Sequence, residues 1–268
     1  MGRCRKPIDP IINVLVLLFT LLFTNQMRIV TWNCRVGGFR KKARLIAPFK
    51  PDILAVQEVE PIDGTHSFAS EFRPSYFDRP NFAAFPRRST GMVSYNPGME
   101  LHAIDAPDAE NLWQFGFRRY EANGGAFQVV GVWTFDTPAN RRGSYRQAHK
   151  GLEEYGAWIR ERPTVVLGDF NNTANYKNYG WRALEELVDS LGLVSAYHSH
   201  SGEKFGEEKC PTHFHKGHEK SAFHLDYCFL PKAWAEHISS VEVGDYNSWS
   251  EFSDHVPLIV DLNLPPIS

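Results

Sequence analysis

The sequence has few cysteines, little net charge and no apolar segment long enough to be a typical membrane span. Four cysteines are scattered without a repeated spacing, at Cys4, Cys34, Cys210 and Cys228. This argues against a disulfide framework and favours a reducing compartment. The net charge of -2 lacks the basic excess typical of proteins that clamp duplex DNA without sequence preference, although a local basic patch stays open. Internal repeats and low-complexity segments are also absent.

The first 26 residues differ from the rest of the chain. Arg3, Arg5 and Lys6 precede an apolar run that is shorter than the roughly 20 residues of a membrane span. Three interpretations stay open: a hydrophobic leader that acts as an anchor, a cleaved signal, or a mis-set start with translation beginning at Met27. We favour the start at Met27, which implies a cytoplasmic protein. A genuine leader would instead imply a membrane-anchored or exported protein.

The remaining chain is rich enough in apolar residues for a sizeable core, with 43% hydrophobic and 13% aromatic residues. β-branched and apolar runs predict strands at residues 29–32, 53–56, 92–95, 127–133, 164–167, 225–230 and 256–262. Apolar residues spaced three or four apart predict helices at 39–47, 145–161 and 179–191. The pattern alone indicates a mixed α and β domain over residues 27–264.

Polar side chains occur at the ends of five of these apolar runs. The five motifs are Trp32-Asn33, Gln57-Glu58, Gly168-Asp169-Phe170-Asn171, Leu225-Asp226-Tyr227 and Ser253-Asp254-His255. Each has a structural interpretation as a turn, a strand exit or a cap. A carboxylate that interrupts an apolar strand, as Asp226 does, needs a buried partner. Strand ends can direct side chains from a rigid scaffold into one cleft, and five such ends together favour an active site.

These residue types suit metal-assisted hydrolysis of a phosphate ester. The reaction needs an activated water and shielding of the anionic phosphate, and a divalent cation supplies both. Carboxylates can hold the cation, while amides and an imidazolium donate hydrogen bonds. A serine or cysteine nucleophile is not required.

The ordered set of motifs resembles the endonuclease/exonuclease/phosphatase superfamily, which includes DNase I-like nucleases, abasic-site endonucleases, inositol polyphosphate 5-phosphatases and sphingomyelinases. The resemblance extends over residues 27–262. It implies an α/β (α+β) fold, a four-layer sandwich in which two packed mixed β-sheets are flanked by helices. The site is then expected at one edge of this sandwich.

The resemblance also implies a role for each site residue. The metal site is expected at Asn33, Glu58 and Asp254, with Mg²⁺ as the cofactor and Mn²⁺ as a substitute. Asp169 would orient or deprotonate the attacking water, and Asn171 would hold a phosphate oxygen. Asp226 and His255 would form a carboxylate–imidazole pair whose charged ring stabilises the transition state.

Two positions depart from the pattern. Trp133 stands where many relatives carry His or Tyr, which leaves the general acid unassigned because an indole cannot shuttle a proton. Arg35 stands where abasic-site enzymes carry Asp, which weakens a DNA-repair interpretation. We expect substrate contacts from four residues, namely Arg141, Arg142, His213 and His224. The spacing of Cys210, His213, His215 and His218 leaves a zinc site as an alternative.

The sequence therefore predicts a Mg²⁺-dependent phosphoesterase, foremost a phosphodiesterase or nuclease acting on a nucleic acid or nucleotide. A small-molecule or lipid phosphatase or phosphodiesterase is the first alternative. A catalytically inactive binding module is the second. No obligate protein partner is evident, and a membrane is an expected partner only if residues 1–26 form an anchor.

Overall fold

The computed structural model describes residues 25–36, 38–60, 73–77, 89–104, 116–135, 143–177 and 180–265. Most of the segment 1–26, namely residues 1–24, lies outside these residues, as do Arg141 and Arg142. In the described residues, no helix is long and apolar enough to cross a membrane. The first strand begins at Asn25, so Asn25 and Gln26 already pair with Leu264 and Asn263.

The strands within the described residues are β1 Asn25–Asn33, β2 Ile53–Val59, β3 Arg73–Phe77, β4 Ser89–Ser94, β5 Leu101–Ala103, β6 Phe117–Ala122, β7 Phe127–Trp133, β8 Thr164–Asp169, β9 Leu193–Ser195, β10 His213–Phe214, β11 Ala222–Phe223, β12 Asp226–Pro231, β13 Ile238–Val243 and β14 Leu258–Leu264. The α-helices are α1 Phe39–Ile46, α2 Gly143–Glu154, α3 Gly156–Glu161, α4 Trp181–Ser190, α5 Ala196–Ser201 and α6 Tyr246–Trp249.

In the described residues, two six-stranded sheets form the framework of the fold, and β10 and β11 form a separate two-stranded sheet. The first sheet has the order β13-β14-β1-β2-β4-β3, and the second has the order β5-β6-β7-β8-β12-β9. Both sheets are mixed, because β1 is parallel to β2 and β7 is parallel to β8, whereas the other pairs are antiparallel. In each parallel pair the carboxyl ends of both strands meet at the same edge.

The layers are defined by three apolar cores. The central core lies between the sheets, where Ile29 and Ile53 of the first sheet join Val129 and Val165 of the second. A second core lies between the second sheet and helices α2, α3 and α4. A third packs α1 and α6 on the first sheet, with Trp249 edge-on to Trp32 at 5.1 Å. The expected four-layer sandwich is confirmed.

The predicted strands are all present, but the helix predicted at 145–161 is divided. Tyr155 leaves helical geometry, with φ of -88° and ψ of 1°, between α2 and α3. Its ring packs edge-on to Phe117 at 6.1 Å and lies under the guanidinium of Arg119. Apolar periodicity continues through this break because both segments cover the same core, so the pattern alone does not reveal it.

Candidate active site

Strand pairing brings the five polar motifs to one edge of the sandwich. Asn33 lies beside Gln57 at the ends of β1 and β2. Trp133 lies beside Asp169 at the ends of β7 and β8, and Asp226 at the start of β12 lies opposite Asp169. Ser253, Asp254 and His255 precede β14, which runs antiparallel to β1, so their segment returns to the same edge.

Glycine at position 168 is required by the local approach of two strands. Gly168 has φ of +147°, and a Cβ there would lie 1.9 Å from the carbonyl oxygen of Val132. No other residue fits this approach without moving the backbone. The glycine allows β8 to pack closely against β7 immediately before Asp169.

Asp169 is the centre of the site and is fully buried. Its Oδ2 accepts hydrogen bonds from Nδ2 of Asn33 at 2.9 Å and Nδ2 of Asn171 at 2.8 Å, and its Oδ1 accepts from the Asn171 backbone N–H at 2.8 Å. Burial and repulsion by Asp226 raise the pKa of Asp169 to about 7, although His255 and these hydrogen bonds act in the opposite direction. Such a carboxylate is poised to accept a proton near neutral pH.

Asp226 and His255 form the second part of the site. His255 Nδ1 lies 2.8 Å from Asp226 Oδ2, and His255 Nε2 lies 3.9 Å from Asp169 Oδ2. Burial alone lowers the pKa of His255, but the charges of Asp226 and Asp169 reverse the effect and raise the pKa to about 10. The ring is therefore positively charged at neutral pH. Among the described residues, the buried Asp226 Oδ1 finds no hydrogen-bond partner.

A short turn fixes the backbone of His255. The Ser253 hydroxyl donates to the carbonyl oxygen of Asn33 at 2.7 Å and accepts from the His255 N–H at 3.0 Å. The indole Nε1–H of Trp32 donates to the His255 carbonyl oxygen at 3.1 Å. Trp32 and Asn33 of β1 thus hold the chain segment that carries His255 in place.

Thr212 is a positioning residue whose role the sequence did not reveal. Its buried hydroxyl accepts hydrogen bonds from the backbone N–H groups of Leu225 at 2.9 Å and Asp226 at 3.0 Å. Its carbonyl oxygen accepts from the Val256 N–H at 2.8 Å. One residue therefore ties the segment of Asp226 to the segment of His255. The signal available in the sequence was its position beside His213, which does not specify these distant partners.

The side of the site predicted to bind metal is formed by β1 and β2. Glu58 has φ of +56° and lies in a bulge of the pairing between β2 and β4. Its Oε1 accepts from Nδ2 of Asn33 at 3.3 Å, and its Oε2 accepts from the Val36 N–H at 2.8 Å. The Asn33 amide thus bridges Glu58 and Asp169, while its oxygen accepts from the Arg35 N–H at 2.9 Å.

Asp254, the third predicted metal ligand, faces Arg35. The Nε atom of Arg35 lies 3.6 Å from Oδ2 of Asp254, and the Arg35 side chain is 47% exposed. The sequence identified Arg35 only as a departure from abasic-site enzymes. Its contact joins positions that are far apart in the sequence, so the local pattern could not reveal it.

The structure places the two predicted histidines differently. His213 forms an isolated β-bridge with His255, and their ring centroids are 4.5 Å apart. Burial and the charges of His255, His215 and Arg35 lower the pKa of His213 to about 3, so its ring is neutral. His224 is buried 4.7 Å from the ring of Tyr197, and its Nδ1 lies 2.9 Å from the Cys210 carbonyl oxygen. A substrate contact for either histidine stays a prediction.

Trp133 ends β7, and Asn171 follows the end of β8 by two residues. Trp133 is buried and packs on Phe135, with 5.1 Å between ring centroids. Asn171 has φ of +45°, and its Nδ2 donates to the carbonyl oxygen of Thr134 at 2.6 Å as well as to Asp169. The amide of Asn171 is thereby held at the edge of the site.

A cation fits the charge of this site. Ligand atoms of Asp169, Asp226 and His255 lie within 4.8 Å of one another, the one such group among the His, Cys, Asp and Glu residues that the structure describes. The raised pKa of Asp169 and the unpaired Asp226 Oδ1 both indicate negative charge without full compensation. Within the described residues, the segment from Cys210 to His218 contains no comparable cluster of ligand atoms. The structure therefore gives no support to the zinc alternative.

The sequence matches the profile of the Endonuclease/Exonuclease/phosphatase family over residues 30–255. The chain belongs to this family. Members of the Endonuclease/Exonuclease/phosphatase family are phosphoester hydrolases, and the family is generally dependent on divalent metals. The matched range contains the whole set of polar motifs from Asn33 to His255. No curated protein sequence matches the chain significantly.

Solved structures of three distantly related proteins share the fold. An AP endonuclease from Archaeoglobus fulgidus aligns with a TM-score of 0.62 at 16% identity, over 89% of this chain and 100% of its own. The 3' phosphatase NExo from Neisseria, bound to product DNA hairpin, aligns with 0.64 at 18%, over 89% and 100%. AP endonuclease LMAP from Leishmania major aligns with 0.64 at 14%, over 90% and 88%. At these identities the similarity establishes the sandwich fold alone.

Proposed function

We propose that this family member is a Mg²⁺-dependent phosphodiesterase that hydrolyses a nucleic acid or nucleotide with an activated water. The observation that carries the proposal is the network around Asp169. A buried carboxylate with a pKa near 7 lies between two amides and beside a charged imidazole. Phosphoester hydrolysis needs this combination of a proton acceptor and donors to an anion.

Asp169 is assigned to the attacking water. Its Oδ2 is held by Asn33 and Asn171, so the carboxylate cannot rotate away from the site. It would orient the water and accept its proton as the bond to phosphorus forms. Burial strengthens this role, because it raises the affinity of the carboxylate for a proton.

His255 and Asn171 are assigned to the phosphate oxygens. Asp226 holds the imidazole through Nδ1, which leaves Nε2–H directed toward Asp169. The charged ring would donate to a non-bridging oxygen as negative charge builds up on it. Asn171 would donate a second hydrogen bond by exchanging its contact with Thr134 for one with the substrate.

We assign the cation to Asn33, Glu58 and Asp254. His255 is a poor ligand because its raised pKa keeps it protonated and its Nδ1 is already bonded to Asp226. Asn33, Glu58 and Asp254 offer oxygen atoms, and oxygen ligands suit Mg²⁺ and its substitute Mn²⁺. The bound ion would lower the pKa of a water and offset the phosphate charge.

The substrate class draws support from the relatives that share the fold. Two are AP endonucleases, a third is a 3' phosphatase bound to a DNA hairpin, and a fourth is the endonuclease domain of the telomere-specific retrotransposon TRAS1. Three of these proteins are endonucleases, and the fourth is bound to its DNA product. We therefore favour a nucleic acid or nucleotide over a lipid or a sugar phosphate.

The test compares substrate classes on the purified full-length protein. End-labelled DNA and RNA oligonucleotides, a phosphocholine lipid diester and a sugar phosphate monoester are each incubated with Mg²⁺, Mn²⁺ or EDTA. Metal-dependent cleavage of an oligonucleotide is the expected result. Turnover confined to the lipid or the monoester would replace the proposal with the small-molecule or lipid alternative. No turnover of any substrate, with Mg²⁺ binding intact, would favour an inactive binding module.

A further inference from the structure

Two consecutive residues beside the site adopt a backbone conformation that side chains rarely take. Arg35 has φ of +49° and Val36 has φ of +58°, and neither is glycine. For a β-branched residue such as Val36 this conformation is an outlier that the surrounding contacts must hold in place. We call residues 35–36 the strap.

Four contacts hold the strap in this conformation. The Arg35 N–H donates to Asn33 Oδ1 at 2.9 Å, and the Val36 N–H donates to Glu58 Oε2 at 2.8 Å. The Lys42 ammonium donates to the carbonyl oxygens of Cys34 and Arg35. The strap is therefore held in part by Asn33 and Glu58, two of the three residues of the predicted metal site.

The side chains of the strap face outward. Val36 is 59% exposed, the most exposed of the large apolar side chains that the structure describes. The Arg35 side chain is 47% exposed, and its Nε approaches Asp254 at 3.6 Å, which is too long for a good hydrogen bond. A guanidinium has five N–H donors in a planar fork, so this contact leaves donors that can bind an anion.

The position of Arg35 sets it apart from the groups assigned to the reacting phosphate. Asp169 and His255 are buried, whereas the side chain of Arg35 is half-exposed beside Asp254 and close enough to His213 to influence its charge. A half-exposed cation next to an exposed apolar side chain matches the chemistry of a nucleotide neighbour, which carries a phosphate and an apolar sugar or base face.

We propose that Arg35 binds the phosphate that flanks the one being hydrolysed, and that it leaves Asp254 to do so. The inference rests on the proposed function and narrows it, because it makes a polynucleotide with adjacent phosphates the preferred substrate. Arg35 is then a specificity-determining residue that acts on binding, outside the chemical step. The strap fixes the backbone at Arg35 in advance, which reduces the ordering cost of binding.

The test is a thermodynamic double-mutant cycle in which protein variants are combined with a modified oligonucleotide and the binding affinity is measured. A fluorescent DNA oligonucleotide is compared with one whose flanking phosphate is replaced by an uncharged methylphosphonate. Binding is measured in EDTA by fluorescence polarisation for wild type, R35A, R35K and the control R44A, which removes an exposed charge from α1. For wild type and R44A, the methylphosphonate weakens binding roughly 10- to 100-fold, the effect of one charge-assisted hydrogen bond. For R35A it has no effect, and for R35K the effect is intermediate.

Cleavage assays on the same samples distinguish a failure of the role of Arg35 from a failure of the proposed function. With Mg²⁺, R35A raises KM on the normal oligonucleotide and leaves kcat and thermal stability near wild type. If R35A lost the same affinity for both oligonucleotides, or showed only a lower kcat, the role of Arg35 would be overturned while the proposed function would stand. A wild-type protein that neither binds nor cleaves either oligonucleotide would contradict the proposed function, and the inference would fall with it.

Discussion

The side-chain amide of Asn33 lies 2.9 Å from the carboxylate of Asp169, although β1 and β8 belong to different sheets. The same Nδ2 atom lies 3.3 Å from Glu58 Oε1. One amide thus connects the side of the site assigned to the metal with the side assigned to the water. This bridge matters for catalysis because it holds the carboxylates of Glu58 and Asp169 on the same amide.

Glu58→Gln is expected to weaken Mg²⁺ binding by tenfold or more, because an amide replaces the charged oxygen ligand. Isothermal titration calorimetry measures the affinity directly. The matched control is Glu60→Gln, since Glu60 is a nearby carboxylate that accepts from the Phe39 and Arg40 N–H groups at the start of α1. The control should lose stability while keeping its Mg²⁺ affinity. Equal metal affinity in Glu58→Gln and wild type would remove Glu58 from the metal site.

Asp226→Ala and His255→Ala are expected to be non-additive in their effect on kcat. The two side chains form one unit through a hydrogen bond of 2.8 Å, so loss of either partner removes most of the contribution of both. Steady-state kinetics of both single variants and the double variant give the coupling. If the double variant lost the product of the two separate factors, the residues would act independently.

The stability of the metal-free protein is expected to fall as pH rises from 6.5 to 10, because the pKa of His255 is raised from 6.5 to about 10 in the folded state. A folded-state pKa above the unfolded value stabilises the fold below pH 6.5, and this contribution disappears as pH passes through the folded value. Urea unfolding across this range measures the slope. Asp226→Asn should flatten it, and an unchanged slope in that variant would contradict the assignment.

Thr212→Val is expected to destabilise the protein by roughly 1–3 kcal/mol and to lower activity, because the Leu225 and Asp226 N–H groups lose their shared acceptor. Thr212→Ser is the control, since it keeps the hydroxyl. Chemical denaturation and hydrolysis assays on both variants provide the comparison. Recovery of both properties in the serine variant supports the hydrogen-bonding role, whereas equal defects in both would assign the effect to packing of the methyl group.

The sequence predicted the parts of the site that depend on motif order. Asn33, Glu58, Asp169, Asp226 and His255 follow predicted strands or precede one, and the strands of a sandwich bring such ends together. The fold class followed from the same resemblance and is confirmed. The fold is predictable in this way because a strand end is a local property that apolar runs reveal, whereas the roles of the site residues stay predictions.

The sequence could not predict contacts between residues that are far apart along the chain. The Thr212 hydroxyl acts on a backbone segment more than ten residues away, and Arg35 faces Asp254 from the opposite end of the chain. Strand β6 was also missed, because Arg118 and Arg119 interrupt its apolar pattern. Arg118 is nevertheless buried, with its guanidinium donating to the Phe117 carbonyl oxygen at 3.0 Å. Tertiary packing decides such positions.

Hydrolysis of bis-p-nitrophenyl phosphate reports directly on the role of Asp169 in cleaving a phosphodiester. The full-length protein and Asp169→Asn are assayed with Mg²⁺ and with EDTA, with Asp189→Asn on the exposed surface of α4 as the control. The account predicts metal-dependent cleavage by wild type and control, and a loss of roughly 10²- to 10⁴-fold in Asp169→Asn with the fold and Mg²⁺ binding retained. Wild-type rates in the folded Asp169→Asn variant would contradict the assignment of Asp169 to the attacking water.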